Sequence, residues 1–95
     1  MKFEWDPQKN NLNFIRHGID FEEAKTVFED ENAITIYDDE HSENEDRFNI
    51  IGMSVKLREL IVCHCYRNGD EITRIISARR PTKTETKLYE RRIGQ

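Results

Sequence analysis

The chain of 95 residues has little of several residue types that mark particular protein classes. It contains two cysteines, two prolines and four glycines, and no apolar run approaches the roughly 20 residues that span a membrane. The first ten residues lack the apolar core of a signal peptide, so we expect a cytoplasmic protein with no membrane partner. The scattered glycines form no phosphate-binding loop.

Cys63 and Cys65 are separated by a single residue within an apolar run. A disulfide between such close neighbours is strained, so we expect two reduced thiols. His64 lies between them, and side-chain alternation along a strand would turn it away from both. Because no C-x-x-C or H-x-x-x-H spacing occurs, the sequence predicts neither a metal site nor a cofactor.

Charge is abundant and unevenly distributed. The net charge is −4, from 15 basic and 19 acidic residues. Residues 20–46 contain twelve acids and one base, whereas residues 47–95 contain eleven bases and five acids. We therefore expect an acidic edge and a basic face, and an anionic partner would respond to the local field. Two ordinary solvated faces would give the same distribution.

The pattern of apolar residues predicts a single domain, residues 1–95, with the order β-α-α-β-β-β-β-α. Capping residues at Asp6, Asp20 and Thr82 begin the three helices, and Gly18 ends the first. The clustering of strands indicates an α+β fold with a mostly antiparallel sheet. The predicted strands cover residues 2–5, 33–37, 47–54, 60–67 and 71–79.

Asn68-Gly69 predicts a hairpin between the last two strands. A two-residue loop would group Arg67 with Arg74 on one face of the sheet, whereas a three-residue loop would group it with Arg79. Regular alternation along the last strand would place Arg74 and Arg79 on opposite faces. The sequence leaves the grouping of Arg67 open.

Arginines on the predicted strands are candidates for binding phosphate, because the guanidinium group matches phosphate oxygens and keeps its charge. Pairing with acids such as Glu85, Glu90 or those of the loop 38–46 is the structural alternative. Trp5, Tyr66 and Tyr89 could stack on the bases of single-stranded RNA, although packing in the core is the commoner role of such side chains.

The region from Phe3 to Glu90 contains the segments FEWDPQKNNLNFIRHGIDFEEAKTVFED, HSENEDRFNIIGMS and RIISARR with a following ETKLYE. In combination these segments resemble the BrnT toxins of type II toxin–antitoxin systems. The resemblance implies a RelE-like fold and a metal-independent endoribonuclease that cleaves mRNA and inhibits translation. It also implies a BrnA-like ribbon-helix-helix antitoxin as partner, with operator DNA bound only through that antitoxin.

Metal-free cleavage of RNA needs a base for the 2′-OH, an acid for the leaving 5′-oxygen and cations around the phosphate. Carried over by position, the resemblance implies Arg67 and Arg79 as a phosphate clamp, with Arg47 and Lys9 as supporting charges. His17 is the expected proton-transfer group, with a histidine that complements the end of its helix as the alternative. Further expected RNA contacts are Arg74, Arg80, Lys83, Tyr89 and Glu85. A non-catalytic module that binds RNA or a partner is the alternative to an enzyme.

Overall fold

The computed structural model describes residues 1–94, and its elements follow the predicted order. The helices are α1 (Pro7–His17), α2 (Phe21–Thr26) and α3 (Lys83–Ile93). The strands are β1 (Lys2–Glu4), β2 (Ile34–Tyr37), β3 (Phe48–Met53), β4 (Glu59–Arg67) and β5 (Ile72–Arg79). Two 3₁₀ turns, Val27–Glu29 and Asp39–His41, supplement them. The α+β class is confirmed, and Gln95, the last residue of the predicted domain, lies outside the described residues.

The five strands form one sheet in the order β1-β5-β4-β3-β2. Neighbouring strands are antiparallel except for β1, which pairs in parallel with β5. Because β1 and β2 occupy opposite edges, α1 and α2 cross the sheet between them. None of the helices in residues 1–94 combines the length and the apolar character needed to span a bilayer.

Local capping explains why α1 begins and ends where it does. The Asp6 carboxylate accepts a hydrogen bond from the Gln8 N–H at 2.9 Å, which satisfies a free donor of the first turn. Gly18 has a φ of +69°, and its N–H donates to the Phe14 carbonyl at 2.8 Å. Since this left-handed conformation favours glycine, the chain leaves the helix at the predicted residue.

Different helices cover the two faces of the sheet. The main core lies under α1 and α2 and contains Ile19, Phe21, Ala24, Val27, Ile50, Leu60, Val62, Ile75 and Ala78. On the opposite face, Tyr89 of α3 packs against Ile51 and Ile61. Because α3 covers only part of this second face, the rest of it remains open to solvent.

A buried asparagine joins α1 to β5. Asn13 is 7% exposed, and its Nδ2 donates to the carbonyls of Ile19 at 2.9 Å and Ala78 at 2.8 Å. Its Oδ1 accepts from the Ala78 N–H at 3.0 Å. Since β1 pairs with β5 only along residues 72–74, the Asn13 amide bonds the strand edge beyond the end of β1.

A bulge interrupts the pairing of β4 with β5. His64 pairs with Ile75, whereas the preceding Cys63 pairs with Ser77, so Ile76 has no partner in the ladder. An extra residue of this kind reverses the facing of every side chain that follows it along the strand.

The bulge changes which arginines share a face. Ile75, before the bulge, and Ala78, after it, both belong to the core beneath the helices. Arg79 therefore lies on the other face, together with Arg74. Regular alternation predicts these two arginines on opposite faces, and that prediction is wrong because of the extra residue.

The hairpin loop between β4 and β5 contains four residues, 68–71, rather than two or three, and its first three residues have positive φ angles of 53 to 71°. Arg67 pairs with Ile72 and so shares its face with Arg74. The bulge brings Arg79 to that face as well. Arg67 therefore shares a face with both Arg74 and Arg79, which the sequence offers only as alternatives.

Candidate active site

An open cleft of about 340 Å³ lies on the sheet face that α3 covers in part. Its walls come from the turn after β2, the start of β3, the middle of β4, the bulged part of β5 and the first turn of α3. The polar and charged side chains that line it include Asp38, His41, Arg47, Asn49, Arg79 and Glu85. Two of the four arginines and lysines expected in the catalytic site, Arg47 and Arg79, thus reach the same cavity.

Arg79 and Glu85 form a bidentate ion pair across the cleft wall. The guanidinium nitrogens Nη1 and Nη2 donate to the two carboxylate oxygens at 2.8 and 3.0 Å. These bonds from Arg79 lower the pKa of Glu85 to about 2. Glu85 also accepts from the Thr82 N–H at 2.8 Å in the predicted capping box. The same carboxylate therefore fixes both the start of α3 and the orientation of Arg79.

Glu45, on the loop between β2 and β3, connects two further arginines. Its Oε2 accepts from Nη1 of Arg67 at 2.7 Å, and its Oε1 lies 3.5 Å from Nε of Arg47. The hydrogen bond from Arg67 lowers the pKa of Glu45. The Nε of Arg47 is buried and makes no hydrogen bond to any described residue. Arg47 is therefore paired with Glu45 by charge, without a well-formed hydrogen bond from this nitrogen.

Arg74 extends the row of arginines along the open face. It lies opposite Glu4 in the parallel pairing of β1 with β5, and its Nη1 donates to the Glu4 carboxylate at 2.7 Å. Arg67, Arg74 and Arg79 are thus each paired with one carboxylate. Their positive charges are therefore largely neutralised in the free protein, although Arg67 and Arg74 each use only one N–H donor in these pairs.

A histidine that the sequence analysis does not select lies in the cleft. The Nδ1 of His41 is 2.9 Å from Oδ2 of Asp38, and both residues line the cavity beside Arg79. The sequence did contain a feature that points to His41, because this residue begins the segment HSENEDR, which carries part of the family resemblance. The acidic surroundings of that segment favour a solvated loop, so its composition alone did not indicate a site.

Cys63 also faces the cleft, on the side of β4 opposite His64. Cys63 and Cys65 are free thiols, and burial raises the pKa of Cys63 to about 11. The thiol is therefore protonated near neutral pH and is a weak nucleophile. Within residues 1–94 no group of three His, Cys, Asp or Glu side chains is arranged to hold a metal ion.

Residues 5–85 match the family of BrnT, the ribonuclease toxin of type II toxin–antitoxin systems. The chain belongs to the BrnT family. It is also similar to the crystal structure of the ribonuclease toxin BrnT of Brucella abortus, with 26% sequence identity and a TM-score of 0.64. That likeness covers 87% of this chain and 99% of the Brucella chain. No curated protein sequence matches the chain.

Membership of the BrnT family identifies the general function. The protein is a ribonuclease toxin of a type II system, and such a toxin has an antitoxin as its partner. The α+β fold with a mostly antiparallel five-stranded sheet agrees with the similarity to the Brucella toxin.

Four of the residues expected at the site lie elsewhere on this BrnT-family chain. Lys9 and His17 are exposed on α1, which packs over the opposite face of the sheet. Arg80 lines a separate cavity together with Glu59, and Lys83 is exposed in the first turn of α3. None of the four lines the cleft that contains Arg47 and Arg79. The sequence could not reveal this, because it does not give the position of α1 relative to the sheet.

Tyr89, an expected RNA contact, is only 2% exposed. Its hydroxyl donates a short hydrogen bond to the Asp30 carboxylate, and its ring packs against Ile51 and Ile61. The structure therefore does not present this ring to a base, and Tyr89 instead fixes α3 to the sheet.

The charges around the cleft are nearly balanced. Arg47 and Arg79 face three carboxylates among the lining residues, those of Asp38, Glu40 and Glu85. Such a cavity does not attract polyanions by net charge, and any phosphate must be recognised by directed hydrogen bonds from the guanidinium groups. A phosphate that binds both Nη1 and Nη2 of Arg79 in the bidentate mode would have to displace the Glu85 carboxylate.

Proposed function

We propose that this BrnT-family toxin is a metal-independent endoribonuclease that cleaves messenger RNA and thereby inhibits translation. The observation that supports this most directly is the meeting of Arg47 and Arg79 at one open cleft, with Arg67 on the same face of the sheet. Guanidinium groups bind phosphate oxygens bidentately and remain charged at any physiological pH. They can therefore stabilise a phosphate that gains negative charge without a metal ion.

The proposed reaction is RelE-like. The 2′-OH of one nucleotide attacks the phosphate that follows it, and the 5′-oxygen of the next nucleotide leaves. Arg79 holds the scissile phosphate after exchanging the Glu85 carboxylate for phosphate oxygens. Arg67 lies six residues along β4 from Ile61, the partner of Arg79, which is about 20 Å, so it holds the phosphate of a neighbouring nucleotide in place of Glu45. Arg47, which lines the same cleft, adds positive charge beside the scissile phosphate. In the free protein the two carboxylates keep Arg79 and Arg67 oriented in the absence of substrate.

We propose as the partner a ribbon-helix-helix antitoxin that resembles BrnA and inhibits the toxin by covering the cleft. Operator DNA would be bound only through that antitoxin, because the toxin's own cleft is balanced in charge. The site of action would be the cytoplasm, where messenger RNA is translated. Membership of a type II toxin family supports the need for an antitoxin.

The decisive experiment measures cleavage of a defined single-stranded RNA by purified wild-type protein in the presence of a metal chelator. We expect cleavage products with a 2′,3′-cyclic phosphate, and no cleavage at a position where a 2′-deoxynucleotide replaces the ribonucleotide. Arg79→Ala should lower the rate by about 10²–10³, the usual cost of removing one charged contact to the transition state. Arg91→Ala, which removes an equal charge from the exposed surface of α3, is the matched control and should retain the wild-type rate.

Two outcomes would contradict the proposal. Full activity in both Arg67→Ala and Arg79→Ala would show that these arginines do not hold the phosphates of the RNA. RNA that is retarded by the protein in a salt-dependent manner but never cleaved would support the non-catalytic alternative, which the carboxylate pairing of all three strand arginines favours.

A further inference from the structure

We infer that His41 accepts the proton of the attacking 2′-OH and that Asp38 is its positioning residue. The inference rests on the proposed function, because it assigns a role within that reaction. It concerns two side chains of the cleft that the sequence analysis leaves without any role.

The contact between the two side chains determines which nitrogen of His41 is free. The Nδ1 of His41 lies 2.9 Å from Oδ2 of Asp38. Because an ionised carboxylate can only accept hydrogen bonds, Nδ1 carries the proton of the neutral ring. The other nitrogen, Nε2, then has a free lone pair and can accept a proton, as in the pairing of histidine with aspartate in hydrolases.

The solvent exposure of the two side chains fits a base at His41 and a positioning residue at Asp38. The His41 side chain is 59% exposed and the Asp38 side chain only 11%. Asp38 therefore lies beneath the histidine as a fixed acceptor, while the imidazole reaches into the cleft. Both residues line the cavity that contains Arg47 and Arg79.

The backbone connects this pair directly to the arginine site. The Asp38 N–H donates to the Arg47 carbonyl at 2.9 Å, and the Arg47 N–H donates to Oγ of Ser42 at 3.0 Å. His41 is the last residue of the 3₁₀ turn that begins directly after Asp38. These two hydrogen bonds join the backbone of the turn to Arg47, the residue directly before β3, so the turn that carries His41 is held beside Arg47.

The other two histidines of the chain do not have these features. His64 is fully buried, its Nε2 lies 3.1 Å from the Tyr66 hydroxyl, and burial lowers its pKa. His17 lies at the end of α1, on the helix-covered side of the sheet. His41 alone among the three lines the cleft.

Nε2 of His41 removes the proton of the 2′-OH as the bond between the 2′-oxygen and phosphorus forms. The bond between phosphorus and the 5′-oxygen breaks, and the 5′-oxygen takes a proton from water in the open cleft. The products are a 2′,3′-cyclic phosphate and a 5′-hydroxyl, and His41 returns its proton to solvent.

The test compares the pH dependence of cleavage in wild type, His41→Ala, His41→Asn and Asp38→Asn, with RNA affinity and thermal unfolding measured on each. The charged and titratable groups that share a cavity with His41 are Asp38, Glu40, Glu43, Glu45, Arg47, Cys63, Arg79 and Glu85. All of these groups remain in the two His41 variants. If the acidic limb of the pH–rate profile is lost in those variants, the loss is therefore due to removal of the imidazole. Wild type should lose activity as the pH falls and the base becomes protonated.

We expect both His41 variants to have a kcat lower by about 10²-fold or more, the usual contribution of a general base, with RNA affinity unchanged. They should also lose the acidic limb of the profile. Asp38→Asn should lower kcat less and displace that limb, which a purely structural role of Asp38 would not do.

The outcomes separate this inference from the proposed function. Cleavage by the His41 variants at the wild-type rate, with the same pH profile, would overturn the inference alone. A loss of rate in His17→Ala with none in His41→Ala would overturn it as well. A wild-type protein that never cleaves RNA would overturn both.

Discussion

Oε2 of Glu45 lies 2.7 Å from Nη1 of Arg67, the position that a phosphate oxygen would take on that guanidinium group. An internal carboxylate therefore occupies part of the proposed RNA site in the free protein. Glu45 is located on the loop between β2 and β3, in the most acidic part of the chain.

Glu45→Gln should strengthen RNA binding, because the neutral amide competes less well than a carboxylate for Arg67. We expect an affinity increase of up to about tenfold, equivalent to roughly 1.4 kcal/mol. The measurement is a titration of labelled, 2′-deoxy-blocked RNA at several salt concentrations. Glu43→Gln makes the same charge change on the same loop and is the control. An equal increase in both variants would assign the effect to the general field and not to the contact with Arg67.

Glu85 should contribute stability that depends on pH. Its pKa is lowered to about 2 by Arg79, so the pair stabilises the fold above the ordinary carboxyl range, near pH 4.5, and loses this effect as the pH falls towards 2. The stability difference between wild type and Glu85→Gln should therefore shrink across that interval in urea unfolding. Repeating the substitution in an Arg79→Ala background should reduce the pH dependence to the part that the Thr82 N–H contributes, and an undiminished dependence there would contradict the assignment to Arg79.

Asn13→Ala should destabilise the protein without changing any residue that lines the cleft. It leaves the Ala78 N–H and two carbonyls buried without their side-chain partner, and each such group costs about 1–3 kcal/mol. Urea unfolding measures the loss. Asn11→Ala, on the exposed side of the same helix, should change stability by less than about 0.5 kcal/mol. Similar losses in both variants would show that the amide bonds to β5 contribute little.

Tyr89→Phe should lower stability and leave RNA affinity unchanged. The variant removes the buried hydroxyl that donates to Asp30, a bond to a charged group worth about 1.5–3 kcal/mol. Tyr37→Phe removes a similar bond, to Asp46 at 3.0 Å, at an exposed site and should have a much smaller effect. Reduced RNA affinity with wild-type stability in Tyr89→Phe would restore the stacking role that the sequence suggested.

The sequence predicted the features that depend on local chemistry. Asp6 and Gly18 delimit α1 because capping and left-handed conformation are properties of single residues. Thr82 and Glu85 form the expected capping box for the same reason. The order of elements follows from these signals together with the apolar pattern.

Features that depend on packing between distant segments were not predictable. The pairing of Asp38 with His41 is local, but the approach of that turn to Arg79 depends on how the loop after β2 folds over the sheet. In the same way, the burial of Tyr89 follows from the docking of α3 against β3 and β4.

The unpaired Ile76 has a consequence for how the chain tolerates insertions and deletions. Removing this one amino acid would make β5 regular and leave the existing pairs unchanged, with Ala78 still opposite Val62 and Arg79 still opposite Ile61. Adding one residue between Ser77 and Ala78 would instead reverse the facing of Ala78 and Arg79, and an unpaired charge turned inward among apolar side chains costs several kcal/mol, comparable to the entire stability of a small domain. We therefore expect the fold to tolerate the loss of Ile76 but not the gain of a residue just beyond it, which should abolish folding and toxicity together.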